Sequence, residues 1–197
     1  MSKSNEILQG ALAGALADSI AVQSRLAEIA DAIEASARAI RDALLERHQV
    51  IVFGNGGSAA QAQHLAGELV GKYGPVRRAL PSIALTADSG IVTCIANDFG
   101  YEQVFSRQVE AFAHNGDIVI GITTSGRSPN VLKALKAAHD RGAIAIAMTG
   151  QSGLSEAVAD IVVAVPSAST ARIQEGHAFI VHYWCDVVDE AFADLRG

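Results

Sequence analysis

The chain has 197 residues, half of them apolar, which is enough for one substantial core and predicts a single structural unit. Its formal charge of −6 and pI of about 5.4 disfavour broad binding to nucleic acid, which draws on clustered lysines and arginines. The two cysteines, Cys94 and Cys185, provide no disulfide framework, and no apolar run reaches the roughly 18 residues of a membrane span. We expect a soluble, cytoplasmic protein that binds neither nucleic acid nor membranes.

Residues 1–48 predict a helical arm. This stretch contains no proline and spaces apolar residues three and four apart, as at Leu26, Ile29 and Ile33. Because apolar residues lie on more than one face, we expect the arm to pack on a neighbouring subunit as well as on its own sheet. Residues 49–197 are then the second part of the same structural unit.

From residue 49 onward, short β-branched runs alternate with longer alanine-rich segments, which is typical of βαβ units and a parallel sheet. The predicted strands are 50–54, 82–86, 118–122, 144–149 and 161–165. The predicted helices are 58–73, 88–95, 102–114, 129–141, 154–158 and 170–195. The predicted fold class is therefore α/β, a three-layer αβα sandwich with a five-stranded parallel sheet and an N-terminal helical arm.

The segment GNGGS at 54–58 ends the first predicted strand and opens a helix. Backbone N–H groups at a helix N-terminus can face an anion, and glycines allow close approach, so the loop suits a phosphate or a polyol oxygen. The spacing G-x-G-x-x-A from Gly54 to Ala59 also matches a dinucleotide fingerprint. The acidic residue that this fingerprint expects about 20 positions later is absent from 74–80, which makes a nicotinamide site the weaker hypothesis.

A second loop, TTSGRSPN at 123–130, likewise follows a strand and opens a helix, with Pro129 placed at the first helical turn. Its hydroxyl side chains exceed what helix capping requires: they are Thr123, Thr124, Ser125 and Ser128. Hydroxyl and amide donors there could surround a dianionic phosphate without a lysine. The alternative is a helix capped by Ser128 and preceded by a solvated loop.

Two predicted helices carry polar side chains at helical spacing. His64 and Glu68 lie four residues apart and share a face, and Gln174 and His182, eight apart, can share another. If these faces meet, imidazole, carboxylate and amide oxygen atoms converge, a donor set that suits a borderline divalent ion such as Zn²⁺. Spacing alone does not distinguish a metal site from separate hydrogen-bonded side chains.

Together these segments, with NDFGY at 97–101 and RIQEGH at 172–177, resemble the SIS (sugar isomerase) domain and, within it, the phosphoheptose isomerase family. The resemblance extends over residues 50–191. It implies an aldose–ketose isomerase that converts sedoheptulose 7-phosphate to D-glycero-D-manno-heptose 7-phosphate in ADP-heptose biosynthesis. It also implies a homotetramer with sites near subunit interfaces.

The resemblance assigns roles to individual residues. It implies one Zn²⁺ per subunit, held by His64, Glu68, Gln174 and His182, with Glu68 abstracting a proton and His182 completing the acid–base step. Because a metal lowers the basicity of a coordinated carboxylate, either the contact of Glu68 loosens when substrate enters or the metal mainly positions the site. The implied substrate-binding residues are Asn55, Gly56, Gly57, Ser58, Glu68, Asn97, Asp98, Thr123, Thr124, Ser125, Ser128 and Gln174.

One position departs from the family pattern, since some members carry an acid where this chain has Ala171. The main alternative function is a non-catalytic SIS module of the type that associates with the replication initiator DnaA. That type lacks a carboxylate at the position of Glu68, so Glu68 favours an enzyme. A sugar-phosphate-sensing regulator is disfavoured because the sequence shows no helix-turn-helix or basic segment.

Overall fold

The structure, a computed structural model, describes residues 3–155 and 157–193. In chain order the helices are α1 Lys3–Arg25, α2 Ala30–Leu45, α3 Gly57–Val70, α4 Ser89–Phe99, α5 Ser106–Phe112, α6 Pro129–Asp140 and α7 Thr170–Phe192. Short 3-10 turns at Leu26–Ile29 and Tyr101–Gln103 precede α2 and α5. The strands are β1 Val50–Gly54, β2 Ser82–Ala84, β3 Ile118–Thr123, β4 Ile144–Gly150 and β5 Ile161–Val165.

Within the described residues, the five strands form one sheet in the order β2-β1-β3-β4-β5, and every neighbouring pair is parallel. All residues of β1 and β3 are buried, as expected for central strands covered by helices on both faces. The chain runs from β1 outward to β2 and then returns to the other side of β1 to form β3. This reversal opens a crevice at the carboxyl ends of β1 and β3, where α/β proteins bind ligands. The α/β sandwich predicted from the sequence is confirmed.

Two apolar layers sandwich the sheet. On one face, α2, α3 and α7 bury side chains such as Ile40, Leu65 and Trp184, and on the other face α5 and α6 bury Val109 and Leu135. Full burial of each such side chain contributes about 1.5–3 kcal/mol. The α2 helix, which lies in the predicted arm, is therefore part of the core of the domain.

Helix α1 lies differently from α2. It contacts α7 through a hydrogen bond from Ser19 Oγ to Glu175 Oε2 (2.7 Å). The side chains of Leu12, Leu16 and Ile20 remain more than half exposed. These apolar side chains are available to a neighbouring subunit, but that contact stays a prediction. Within the part of the chain that the structure describes, no helix is both long and apolar enough to cross a bilayer.

Several predicted boundaries were wrong. The predicted helix at 102–114 is divided into a 3-10 turn and the short α5, and the strand predicted at 82–86 ends at Ala84. The described residues of 154–158 are not helical, and Glu156 lies outside the described residues. The backbone N–H of Ser155 donates to Gly126 O (3.1 Å), so this donor bonds to another loop and not to a helical carbonyl. The end of the predicted last helix, from 194 onward, also lies outside the described residues.

Candidate active site

The two glycine- and hydroxyl-rich loops meet at the carboxyl edge of the sheet. They follow β1 and β3, which are paired so that Gly54 lies opposite Ile122. A Cβ atom at Gly54 would lie 2.8 Å from Ile122 O, so only glycine permits this approach of the two strands. Gly56 has φ of 56°, a left-handed conformation that begins α3 without steric cost.

A small polar cavity of about 90 Å³ lies between these loops. We call the four hydroxyl residues on its β3 side the hydroxyl cradle: Thr123, Thr124, Ser125 and Ser128. Asn55 and Ser58 line the cavity from the β1 side. The structure therefore brings the two loops to one cavity.

The cradle hydroxyls are organised among themselves. Thr123 Oγ1 lies 3.0 Å from Ser128 Oγ and 3.4 Å from Ser125 Oγ, and the backbone N–H of Arg127 donates to Ser125 Oγ at 3.3 Å. Ser128 is the N-cap of α6, yet its side chain makes no capping hydrogen bond. The capped-helix alternative is therefore wrong for Ser128, because its hydroxyl faces Thr123. Gly126 closes the loop with φ of 66°.

A second polar group, the imidazole–carboxylate cluster, consists of His64, Glu68, His182 and Tyr73. His64 Nε2 lies 2.9 Å from Glu68 Oε1, one helical turn apart on α3. The His182 ring, on α7, lies edge-on to the His64 ring with 5.1 Å between the centroids, and Tyr73 stacks on His182 at 5.6 Å. The His64 and Glu68 side chains are 41% and 24% exposed, so a ligand can reach them. The faces of α3 and α7 thus meet.

A buried ion pair fixes the end of α3 against α7. Arg77 Nε lies 2.6 Å from Asp189 Oδ1, and the two side chains are only 2% and 6% exposed. The same guanidinium donates to the carbonyl oxygens of Glu68 (2.8 Å) and Leu69 (2.9 Å), which are left without helical partners at the end of α3. Arg77 thereby connects the backbone of Glu68 to the helix that carries His182. Sequence reasoning did not identify this pair.

Gln174 lies apart from the cluster. Its side-chain nitrogen would be 2.4 Å from a Cβ atom at Gly57, and Gln61 Nε2 donates to the backbone carbonyl oxygen of Gln174 at 2.6 Å. Eight helical residues place it about 12 Å along α7 from His182. The structure therefore assembles three of the four predicted metal ligands and places the fourth beside the first loop.

The imidazole–carboxylate cluster has donor atoms of the kinds that bind a divalent metal ion. Within residues 3–155 and 157–193, no three His, Cys, Asp or Glu side chains are arranged to hold a metal ion, and His64 Nε2 is directed at Glu68. The chemistry of the cluster nevertheless fits Zn²⁺, because two imidazoles and a carboxylate from neighbouring helices are its usual ligands. Burial raises the pKa of the Cys185 thiol, near Glu68, to about 12, so this thiol stays protonated at neutral pH.

Asn97 and Asp98 occupy the last turn of α4 and are exposed. Asn97 Nδ2 donates to Asp98 Oδ1 at 2.7 Å, and the hydrogen bonds of the described residues do not join either side chain to the two loops. The residue that does reach a loop is Tyr101, just beyond α4, whose hydroxyl donates to Asn55 Oδ1 at 2.9 Å. Sequence reasoning singled out 97–101 as a motif but assigned no role to Tyr101.

His177 is fully buried on α7, and its Nε2 lies 3.0 Å from the carbonyl oxygen of Thr149 in β4. Burial lowers the pKa of His177 to about 4, so the imidazole is neutral at physiological pH and donates to this carbonyl. His177 therefore attaches α7 to the sheet and does not belong to the cluster that contains His182.

Comparisons with known proteins show the family of this chain. The family model of the SIS domain matches residues 16–150. Curated phosphoheptose isomerases from Citrifermentans bemidjiense and Aquifex aeolicus are 50% and 53% identical, over 82% and 77% of this chain and 85% and 80% of their own lengths. A solved phosphoheptose isomerase structure from Neisseria gonorrhoeae has a TM-score of 0.84 and 38% identity, covering 93% of this chain and 99% of that one. The chain belongs to the phosphoheptose isomerase family of SIS-domain proteins.

Proposed function

We propose that this protein interconverts sedoheptulose 7-phosphate and D-glycero-D-manno-heptose 7-phosphate. The observation that carries the proposal is the meeting of His64, Glu68 and His182 across α3 and α7 in a chain that also holds a hydroxyl-lined cavity. Membership of a family of isomerases supports the same reaction. The product serves ADP-heptose biosynthesis.

Isomerisation moves a proton between the first two carbons of the sugar through an enediolate. A base must remove the proton, and an acid must protonate the oxygen that gains charge. Glu68 is the base, since it is a partly exposed carboxylate, and His182 supplies the complementary acid–base step. Tyr73, stacked on His182, limits the orientations of that imidazole.

The hydroxyl cradle receives the phosphate. Its four hydroxyls and the backbone N–H groups at the start of α6 are hydrogen-bond donors of the kind that bind a dianion. Asn55, Gly56, Gly57 and Ser58 offer amide, backbone and hydroxyl donors to the sugar from the opposite loop. Asn97 and Asp98, exposed in the last turn of α4, are further proposed contacts of the substrate, and Gln174 contacts the sugar beside Gly57.

Zn²⁺ is the proposed cofactor, one per subunit, held by His64, Glu68 and His182, with Gln174 as the fourth ligand that the resemblance implies. When bound, the ion supplies Lewis-acid polarisation of the substrate carbonyl. Joining Gln174 to the other three requires a side-chain rearrangement, because it lies about 12 Å along α7 from His182. Glu68 either loosens its metal contact to act as the base or acts beside a metal that only positions the site.

The distances along α3 favour a site shared between subunits. Glu68 lies eleven residues beyond Gly57, which is about 16 Å along the helix axis, a long reach for one sugar phosphate. A cradle from one protomer and a cluster from its partner would shorten that path. The exposed apolar face of α1, with Leu12, Leu16 and Ile20, supports association through the N-terminal arm of residues 1–48. The homotetramer, the cytoplasmic location and the absence of nucleic-acid and membrane partners stay predictions.

The remaining alternative is a non-catalytic SIS module that binds a DnaA-type protein. One experiment separates the two: purified protein, with and without added Zn²⁺, is incubated with sedoheptulose 7-phosphate while aldose formation is followed by NMR. We expect turnover by the unmodified chain and loss of about a thousandfold in Glu68→Gln, which keeps the shape but not the base. If the wild-type protein shows no turnover with or without Zn²⁺, the isomerase proposal is wrong and the non-catalytic binding module is favoured.

A further inference from the structure

The side-chain amide of Asn55 is hydrogen-bonded to two residues, Asn130 and Tyr101, to which the sequence motifs assign no role. Its Nδ2 donates to Asn130 Oδ1 and its Oδ1 accepts from Asn130 Nδ2, both at 2.9 Å, so the two amides form a reciprocal pair. The Tyr101 hydroxyl donates to the same Asn55 Oδ1, also at 2.9 Å. Three segments of the chain therefore converge on one side chain.

The hydrogen-bonding capacity of Asn55 follows from this geometry. A carboxamide oxygen has two acceptor positions and the nitrogen has two hydrogens. Asn130 and Tyr101 occupy both acceptor positions of Oδ1, and Asn130 takes one hydrogen of Nδ2. One N–H remains, on a residue that lines the cavity shared with the hydroxyl cradle.

We propose that Asn130 and Tyr101 are positioning residues that present Asn55 to the substrate as a hydrogen-bond donor only. Asn55 then selects an acceptor oxygen of the ligand, on the phosphate or the adjacent carbon chain, and rejects a group that needs an acceptor. This inference rests on the proposed function, since the ligand in question is the sugar phosphate.

The surroundings of the two partners support a positioning role. Asn130 is 3% exposed, and it follows Pro129, so the first turn of α6 fixes its backbone. Neither Asn130 nor Tyr101 lines the cavity itself, so each acts through Asn55. Tyr101 follows Gly100, whose φ of 88° turns the chain sharply after α4 and directs the 3-10 turn toward the first loop.

The test uses Asn130→Ala and Tyr101→Phe in the full chain, with Asn115→Ala as the control. Neither variant changes charge, and Asn115 precedes β3, at the opposite edge of the sheet from the loops. We expect KM for sedoheptulose 7-phosphate to rise about tenfold in Asn130→Ala and about fivefold in Tyr101→Phe, because a weakened hydrogen bond to a charged or polar ligand has effects of this size. We expect kcat to change less than KM, and the control to match wild type.

A second measurement makes the result independent of turnover. Thermal unfolding is followed while inorganic phosphate is added, and both variants should lose most of the phosphate-dependent rise in melting temperature that the wild type and Asn115→Ala show. If KM and the phosphate response of Tyr101→Phe equal those of the wild type, the inference is wrong, even if Asn130→Ala fails to fold. If phosphate raises the melting temperature of the wild-type protein but the protein does not isomerise the sugar, the proposed reaction is wrong. The positioning role of Asn130 and Tyr101 is then still tested by the melting temperatures of the two variants.

Discussion

The hydroxyl cradle and the imidazole–carboxylate cluster are built in different ways. The cradle comes from one short segment, 123–128, and the hydroxyls of Ser125 and Ser128 each contact that of Thr123. The cluster joins α3 to α7, which are distant in sequence, and its geometry depends on contacts outside it such as the Arg77–Asp189 pair. Local sequence therefore determines the cradle, whereas tertiary packing determines the geometry of the cluster. Changes in the two regions should therefore have separable effects.

The largest effect is expected in the cluster itself. His182→Gln should lower kcat about a thousandfold, since loss of a positioned acid–base group removes 10²–10⁴ in rate, and it should leave KM nearly unchanged because the cradle is intact. Steady-state kinetics with sedoheptulose 7-phosphate measure the split. His139→Gln, which removes an exposed imidazole beside Asp160, is the control and should behave as wild type. A rise in KM without a fall in kcat would contradict the separation of the two regions.

The next effect concerns the support of the cluster. Asp189→Asn should lower the free energy of unfolding by about 3–5 kcal/mol, because it leaves the Arg77 charge buried without its partner. It should also lower kcat, since Arg77 holds the Glu68 backbone. Denaturant unfolding and kinetics are measured together. Glu102→Gln, which breaks an exposed ion pair with Lys133, should cost less than about 1 kcal/mol. Equal losses of unfolding free energy in the two variants would show that the buried Arg77–Asp189 pair stabilises the protein no more than an exposed ion pair does.

The pH dependence of stability should reveal His177. Its pKa is about 4 in the folded chain against an ordinary 6.5, so the unfolded chain binds the proton more tightly. The contribution of His177 to the free energy of unfolding is fully present above pH 6.5. It is lost as the pH falls towards 4, by at most about 3 kcal/mol. Urea unfolding at pH 4.5, 5.5 and 7 measures the slope, which should be flatter in His177→Gln. In His114→Gln, a change at an exposed histidine, the slope should be that of the wild type. Identical slopes in all three proteins would contradict the burial of a neutral imidazole.

The smallest effect is expected in the cradle. Ser125→Ala and Ser128→Ala should each raise KM about tenfold, because one hydroxyl donor to a dianion is worth roughly 1.5 kcal/mol, and kcat should stay within a few-fold of wild type. Ser24→Ala, which removes a hydroxyl that donates to the carbonyl oxygen of Ile20 within α1, is the matched control. A fall in kcat with unchanged KM would place these hydroxyls in the chemical step and remove the distinction between the two regions.

Much of the fold was predictable because its signals are local. Runs of β-branched residues identified the strands, and β1 and β5 have the predicted bounds. The Gly-rich and Ser/Thr-rich loops could be recognised from the sequence because each follows a predicted strand and opens a predicted helix. One failure has a cause that lies far along the chain: near Ser155 the backbone is not helical, and the Ser155 N–H donates to Gly126 O on another loop.

The site was predictable in its parts but not in its connections. Helical spacing placed His64 beside Glu68, yet nothing in the local sequence shows that Gln174 packs on Gly57 instead of joining them. The pairings of Asn55 with Asn130 and of Arg77 with Asp189 join residues of ordinary type whose partners lie far along the chain. Such pairs become visible only when the backbone brings them together.

We propose that the cradle and the cluster act on the two ends of one sugar phosphate. A crystal structure of the Glu68→Gln variant with sedoheptulose 7-phosphate is the most direct test. We expect the phosphate among Thr123, Ser125 and Ser128, and the first two sugar carbons beside the side chain at position 68 and His182, in the same protomer or across a subunit boundary. A phosphate bound elsewhere, or a carbonyl end that lies away from both helices in every subunit of the assembly, would contradict it.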